Sequence, residues 1–311
     1  MNTAPGRSEL PLDSRPGPSR RASLKSRRQR SLAFRLAFAV VVTILVLVPF
    51  AWMISIAFTP AEQAFGSISL LPEQPTWRNF WIALTEVDLS RALLNSGVVA
   101  ALAVIVNLVL TPMTGYAFCR LRFPGSQFVF LGIIATTAIP IAVTLIPLFL
   151  MVKGIPWAGG NDLFGHGGTG LLNTLLGVSI PHLVGAMNIF LSYQYYSTMP
   201  GELAEAARMD GAGEWVIFWR VYLPLSKPLL AVVAIFSFTG TWDDFLWPLV
   251  TTTSRDVYTV QLALVQFNAE GNVQYGALMA GAILISLPVV AVFLFNQRSF
   301  IAGLADGGVK G

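Results

Sequence analysis

Asp243 and Asp244 stand side by side inside an otherwise apolar stretch, 228–250, with Trp242, Phe245 and Trp247 around them. A carboxylate accepts hydrogen bonds from hydroxyls, and aromatic faces stack on the C–H faces of sugar rings, so this group suits a passage for a polyhydroxylated solute. The same residues also suit an acid near a helix end within an interfacial aromatic belt, and the sequence leaves both readings open. His182 and Asn173, in the apolar stretch 163–201, are further candidate pathway groups, although His182 also reads as an ordinary buried, hydrogen-bonded histidine. A different kind of chemistry is suggested by residues 197–228, STMPGELAEAARMDGAGEWVIFWRVYLPLSKP, where Glu205, Ala206, Ala207, Asp210 and Gly211 precede Leu223 and Pro224.

Other chemistries find no residues to carry them. Cys119 is the single cysteine and His166 the only other histidine, so neither a disulfide framework nor a metal site is expected. The four lysines, Lys25, Lys153, Lys227 and Lys310, lack the glycine spacing of a phosphate-binding loop. The chain is therefore read as unable to hydrolyse ATP by that mechanism itself, with no cofactor of its own expected.

The elements that must position these residues are membrane spans. Apolar residues make up 54% of the 311 and charged residues only 12%, about half the ~25% of soluble domains. Mean hydropathy is +0.65, which argues against a water-soluble enzyme. Long stretches without charge predict six helices, at about 33–57, 93–118, 127–150, 171–195, 228–250 and 276–297, each near the ~20 residues a bilayer requires. The fold class expected is thus an all-α integral membrane protein. Of the twenty Lys and Arg residues, only Arg78, Arg91, Lys153 and Arg255 fall in segments that would be external if the basic N-terminus is cytoplasmic. That bias places both termini in the cytoplasm. Residues 1–32, rich in Pro, Ser and Arg, are expected to form a disordered, lipid-facing tail rather than a nucleic-acid arm, and 33–311 to form one transmembrane domain. Pro181 is expected to kink the fourth span, Pro140 and Pro147 to bend the third, and Asn95 and Asn107 to bond between helices.

The 196–227 loop, cytoplasmic in this topology, predicts a helix capped by Ser197 or Thr198, with Pro200 in its first turn and Gly211 as its stop. A second amphipathic segment, 214–222, would end at Leu223-Pro224. Small alanines let a helix lie deep in a partner's groove, and flanking charges fix its register. The loop carries four acids against three bases, a poor match to anionic lipid, which favours a protein partner.

Glu205-Ala206-Ala207, Gly211 and Val221-Tyr222-Leu223-Pro224 resemble the EAA signature of ABC importer permeases, departing from it by Val221 for Ile. ELAEAARMDGAG looks like the carbohydrate, MalG-like branch. Gly276-Ala277-Leu278-Met279-Ala280-Gly281 and the terminal Gly307-Gly308-Val309-Lys310-Gly311 are similar to that branch as well, while Asp243 replaces the Asn of its usual Trp-Asn-Asp-Phe. The resemblance spans about 33–311. It implies a six-span permease of the bacterial cytoplasmic membrane, paired with a second permease and seated on two ATPase subunits that bind ATP and Mg. An external solute-binding protein would deliver a sugar, and the loop at Glu205, Ala206, Ala207, Asp210, Gly211, Leu223 and Pro224 would couple ATP hydrolysis to alternating access. The resemblance further implies that loop 251–275 reaches into the binding protein and that the glycine tail meets the ATPase. An ion-coupled secondary transporter or channel using the two aspartates is the alternative.

Overall fold

The structure, a computed structural model, describes residues 18–63, 72, 74–121, 123–267 and 274–308. Arg122, the first part of the basic tail, the tip of loop 251–275 and the last three residues of the glycine tail lie outside the described residues. Among the described residues there are helices and no strands. Two compact units are present, 1–53 and 54–311.

In the first unit the described chain is a single helix, the greater part of α1 (Pro18–Ala57). Its side chains from 32 to 52 are all exposed, which suits lipid rather than a protein core. The helix starts at Pro18, so the tail expected to be disordered up to residue 32 is helical over its second half. The physical reason is local: proline is preorganised for a first helical turn, and the Arg-, Lys- and Gln-rich run after it has good helix propensity.

The second unit is organised around α3 (Leu89–Arg120). It also contains α2 (Arg78–Thr85), α4 (Ser126–Thr136), α5 (Ile141–Lys153), α6 (Leu175–Ser179), α7 (Ala186–Thr198), α8 (Glu202–Met209) and α9 (Glu214–Ile217). The remaining helices are α10 (Leu223–Leu225), α11 (Lys227–Trp242), α12 (Leu246–Thr251), α13 (Val260–Gln266) and α14 (Tyr275–Gly308). Helices α2, α6, α7, α11 and α13 lie against α3. The crossing of α3 and α7 is close: a Cβ on Gly115 would run into the backbone of Ser192 and Tyr193. Gly276 similarly lets α14 approach Asn79, whose amide donates to the carbonyls of Ala57 and Thr59 at 2.9 and 2.8 Å.

Three helices are long and apolar enough to cross a bilayer unbroken: α1 from Leu32, α3, and α14 as far as Gln297. The other candidate crossings are bent pairs of helices, so there are three to six candidate spans among the described residues. Helices α4 and α5 meet at 106°, with Pro140 at the start of α5, while Pro147 lies inside α5. The segments Leu175–His182 and Ala186–Thr198 meet at 40°, just past Pro181. The run 214–225, in the loop expected to be cytoplasmic, turns into α11 at 81°. The fifth span, expected as one helix over 228–250, stops at Trp242 and resumes as α12, because Asp243 occupies the helix end and the Asp244 carboxylate accepts the N–H of Trp247 at 3.3 Å. An acid at that position satisfies a backbone group that would otherwise be orphaned.

Candidate functional site

Helix α8 begins at Glu202 with Gly201 before it, not with a hydroxyl cap. Ser197 and Thr198 instead fold back on Gln194 and Tyr195 of α7, at 2.7 and 2.8 Å, so they finish the preceding helix. Serine and threonine hydroxyls compete equally well for carbonyls of the turn before them, which sequence reasoning did not resolve.

The stop of α8 is as expected. Gly211 has φ +84°, its N–H donates to Arg208 O at 2.9 Å, and Ala212 N–H reaches back to Ala207 O at 3.0 Å. Those two bonds form a Schellman motif, which satisfies the last carbonyls and needs a left-handed residue. Ala204 is buried and Ala207 half-buried, while Glu205, Ala206, Asp210, Gly211 and Met209, 88% exposed, share the open side. Leu223-Pro224 was expected to end the following segment. Instead the helical run continues through a π-helical turn, Phe218–Tyr222, into α10. A wide turn ahead of Pro224 relieves the clash that a proline ring makes with the carbonyl four residues back. Leu223 packs inward and Pro224 is exposed.

Beneath this loop lies a cluster absent from the sequence-based candidates: Tyr116, Tyr196, Phe218 and Tyr222, with Tyr116 to Tyr222 ring centroids 5.0 Å apart. The Arg120 guanidinium stands 5.4 Å from the Tyr222 ring centre and donates to the carbonyls of Tyr196 and Met199, which ties the end of α3 to the end of α7. Glu214 accepts from Tyr116 Oη at 2.9 Å and from Arg208 Nε at 2.7 Å. The Arg208 guanidinium holds the Glu214 carboxyl below the usual carboxylate range, against the raising effect of its partial burial.

The candidate pathway residues separate into distinct environments. His182 Nε2 lies 2.9 Å from Asp244 Oδ2, with side chains 17% and 10% exposed, joining the break of the fourth span to that of the fifth. Asn107 of α3 secures the same break: it donates to His182 O at 2.7 Å and accepts from Gly185 N–H at 2.9 Å and Asn188 Nδ2 at 3.1 Å. Asn188 in turn reaches Ser237 of α11 at 2.9 Å. Asn95 donates to the carbonyls of Asp256 and Tyr258, so both asparagines bond between elements as expected. Trp242 is buried, stacks on Phe238 and donates to Ile285 O at 3.1 Å, so its role here is packing. Trp247 is likewise buried, bonded to Gly177 O. Asp243 and Phe245 are exposed, on the same broken segment. Asn173, at φ +57°, accepts from the N–H groups of Thr253 and Ser254 at 2.9 Å each and borders a cavity of about 480 Å³ with Phe149, Thr169 and Thr251. The 251–267 part of the long loop is packed rather than extended, with Val260 N–H bonded to Ser96 Oγ at 2.9 Å.

A bundle of broken and unbroken apolar helices with a short amphipathic helix on a connecting loop defines a membrane-embedded protein. Residues 109–304 match the family described as binding-protein-dependent transport system inner membrane component, and the chain belongs to that family. It is 34% identical over 268 residues to the arabinooligosaccharides transport system permease protein AraQ of Halalkalibacterium halodurans, covering 85% of this chain and 91% of that one. It is 32% identical to the maltose/maltodextrin transport system permease protein MalG of Photorhabdus laumondii, covering 92% and 98%. The fold is shared with a crystal structure of a bacterial ABC transporter involved in the import of the acidic polysaccharide alginate, at a TM-score of 0.73 and 22% identity, covering 87% of this chain and 98% of that one. The family is one of transporter membrane subunits, not enzymes, and nothing in these relationships supports the ion-coupled alternative.

Proposed function

We propose that this chain is one of two permease subunits of an ATP-driven sugar importer in the bacterial cytoplasmic membrane, with both termini inside. Two ATPase subunits bind ATP and Mg and drive it, and an external solute-binding protein supplies the sugar. The observation that carries this reading is the open face of α8, where Glu205, Ala206, Asp210 and Gly211 are exposed beside Met209 while Ala204 anchors the helix to the bundle. A short helix with a fixed stop, small side chains and a one-sided anchor fits a cleft on a partner. Leu223 and Pro224 set the course of the chain back towards α11. The relatives' names, a permease for arabinooligosaccharides and one for maltose and maltodextrin, support a saccharide as the solute. On this reading Asp243 faces the solute, since an exposed carboxylate within a span is costly against lipid. Asp244 with His182, Trp242 and Asn173 hold the walls around it.

The test is replacement of Glu205 by Ala and, separately, of Gly211 by Val in the assembled transporter. Membrane insertion is expected to persist while ATPase co-purification and sugar uptake fall. Retention of both in both variants overturns the coupling role.

A further inference from the structure

Glu214 opens α9 and divides its two carboxylate oxygens between different parts of the fold. Oε1 accepts from Nε of Arg208, in the last turn of α8, at 2.7 Å. Oε2 accepts from the hydroxyl of Tyr116 on α3 at 2.9 Å, across 98 residues of sequence. The Tyr116 side chain cannot easily yield: it is 3% exposed, and the rings of Phe218, Tyr222 and Tyr196 surround it at 5.3, 5.0 and 5.9 Å. Ala204 and Ala207 of α8 meet the same cluster through apolar contact. Apolar contact is non-directional and lets surfaces slide, whereas a hydrogen bond weakens steeply once its angle is lost. Charge-assisted bonds are the stronger kind, and here one carboxylate makes two.

We propose that Glu214 is a positioning residue that makes α8 and α3 move together, so that a displacement of α8 is passed into the bundle rather than absorbed within the loop. This rests on the permease reading above. A push and a pull on α8 are then both transmitted, because the bonds on either side of the carboxylate resist separation as well as approach.

The experiment uses the whole transporter in lipid nanodiscs, with Cys119→Ser as background and spin labels at Glu202→Cys on α8 and Leu110→Cys on α3, two exposed positions. The label separation is measured without nucleotide and after trapping with ATP and vanadate, so no sugar has to be identified. In the background chain the separation is expected to be the same in both states. In Tyr116→Phe and in Glu214→Gln it is expected to differ between the states by several ångströms, a response that a purely structural role would not produce. Tyr116→Phe changes one hydroxyl and keeps the ring, so the proposal stays testable even if Glu214→Gln fails to assemble. A separation that changes on trapping in the background chain, or that stays constant in the variants, overturns the proposal. Failure of the background complex to assemble or to trap nucleotide overturns the permease reading, and the proposal with it.

Discussion

Asn107 donates to the carbonyl of His182 at 2.7 Å, and so occupies the gap where the fourth span loses its own helical bonds. Its carbonyl oxygen takes the N–H of Gly185 on the other side of that gap. One buried carboxamide on α3 thus replaces the intrahelical pairing of a neighbouring broken helix.

Asn107→Leu keeps the branched shape of the side chain, with somewhat larger bulk, and removes the amide. It leaves a half-buried carbonyl and N–H without partners, each costing about 1–3 kcal/mol at full burial, so a loss of about 2 kcal/mol or more is expected. Thermal unfolding of the purified chain in detergent measures this. An unchanged midpoint means water takes over the amide's bonds.

The His182–Asp244 pair is nearly buried, so removing one partner strands the other. His182→Ala and Asp244→Ala are each expected to destabilise by about 1–3 kcal/mol, and the double substitution by less than their sum. A double-mutant cycle on unfolding midpoints checks it. Simple additivity would show that the two side chains do not interact in the membrane.

Gly211 sits at φ +84° with open space around the position of a Cβ. Substitution therefore meets conformational cost rather than a clash. Gly211→Ala is expected to cost about 1 kcal/mol, and Gly211→Asn less, since asparagine tolerates the left-handed region. Hydrogen exchange of the α8 amides distinguishes the two; equal protection in both variants contradicts the motif.

Glu214 has a carboxyl held below its ordinary range by Arg208. A depressed value in the folded state contributes stability that is fully present above the unfolded value of about 4.3. That contribution is lost as pH falls through the lower folded value. The stability difference between the native chain and Glu214→Gln is therefore expected to be constant near neutrality and to shrink as the pH drops below about 4. A difference that stays constant as the pH falls well below that range removes the ion pair from the account.

Much of the architecture is legible from charge-free runs, because lipid selects for them whatever the helices do inside. The same signal says nothing about continuity, and for that reason the stretch 228–250 reads as one helix although the chain breaks at Asp243. Prolines marked the other breaks, at Pro140 and Pro181, since a missing N–H is a property of the residue itself. The stop at Gly211 was legible for the same reason. The ties of Tyr116 to Glu214 and of Arg120 to Tyr196 were not, because hydrogen bonds between residues 98 or 76 positions apart leave no periodic trace. Trp242 shows the converse limit: an aromatic beside an acid looks like a ligand-facing residue until its indole is found bonded to a backbone carbonyl.

At Gly115 and Ser192 the backbones of α3 and α7 come too near for a side chain to fit between them. Two rods pressed that tightly, and pinned again by Arg120 at their ends, cannot roll or ratchet past each other without prising the bilayer-embedded core open. They form a single stiff spar. Relative movement of helices during transport is expected along some other seam, with this spar moving as one piece.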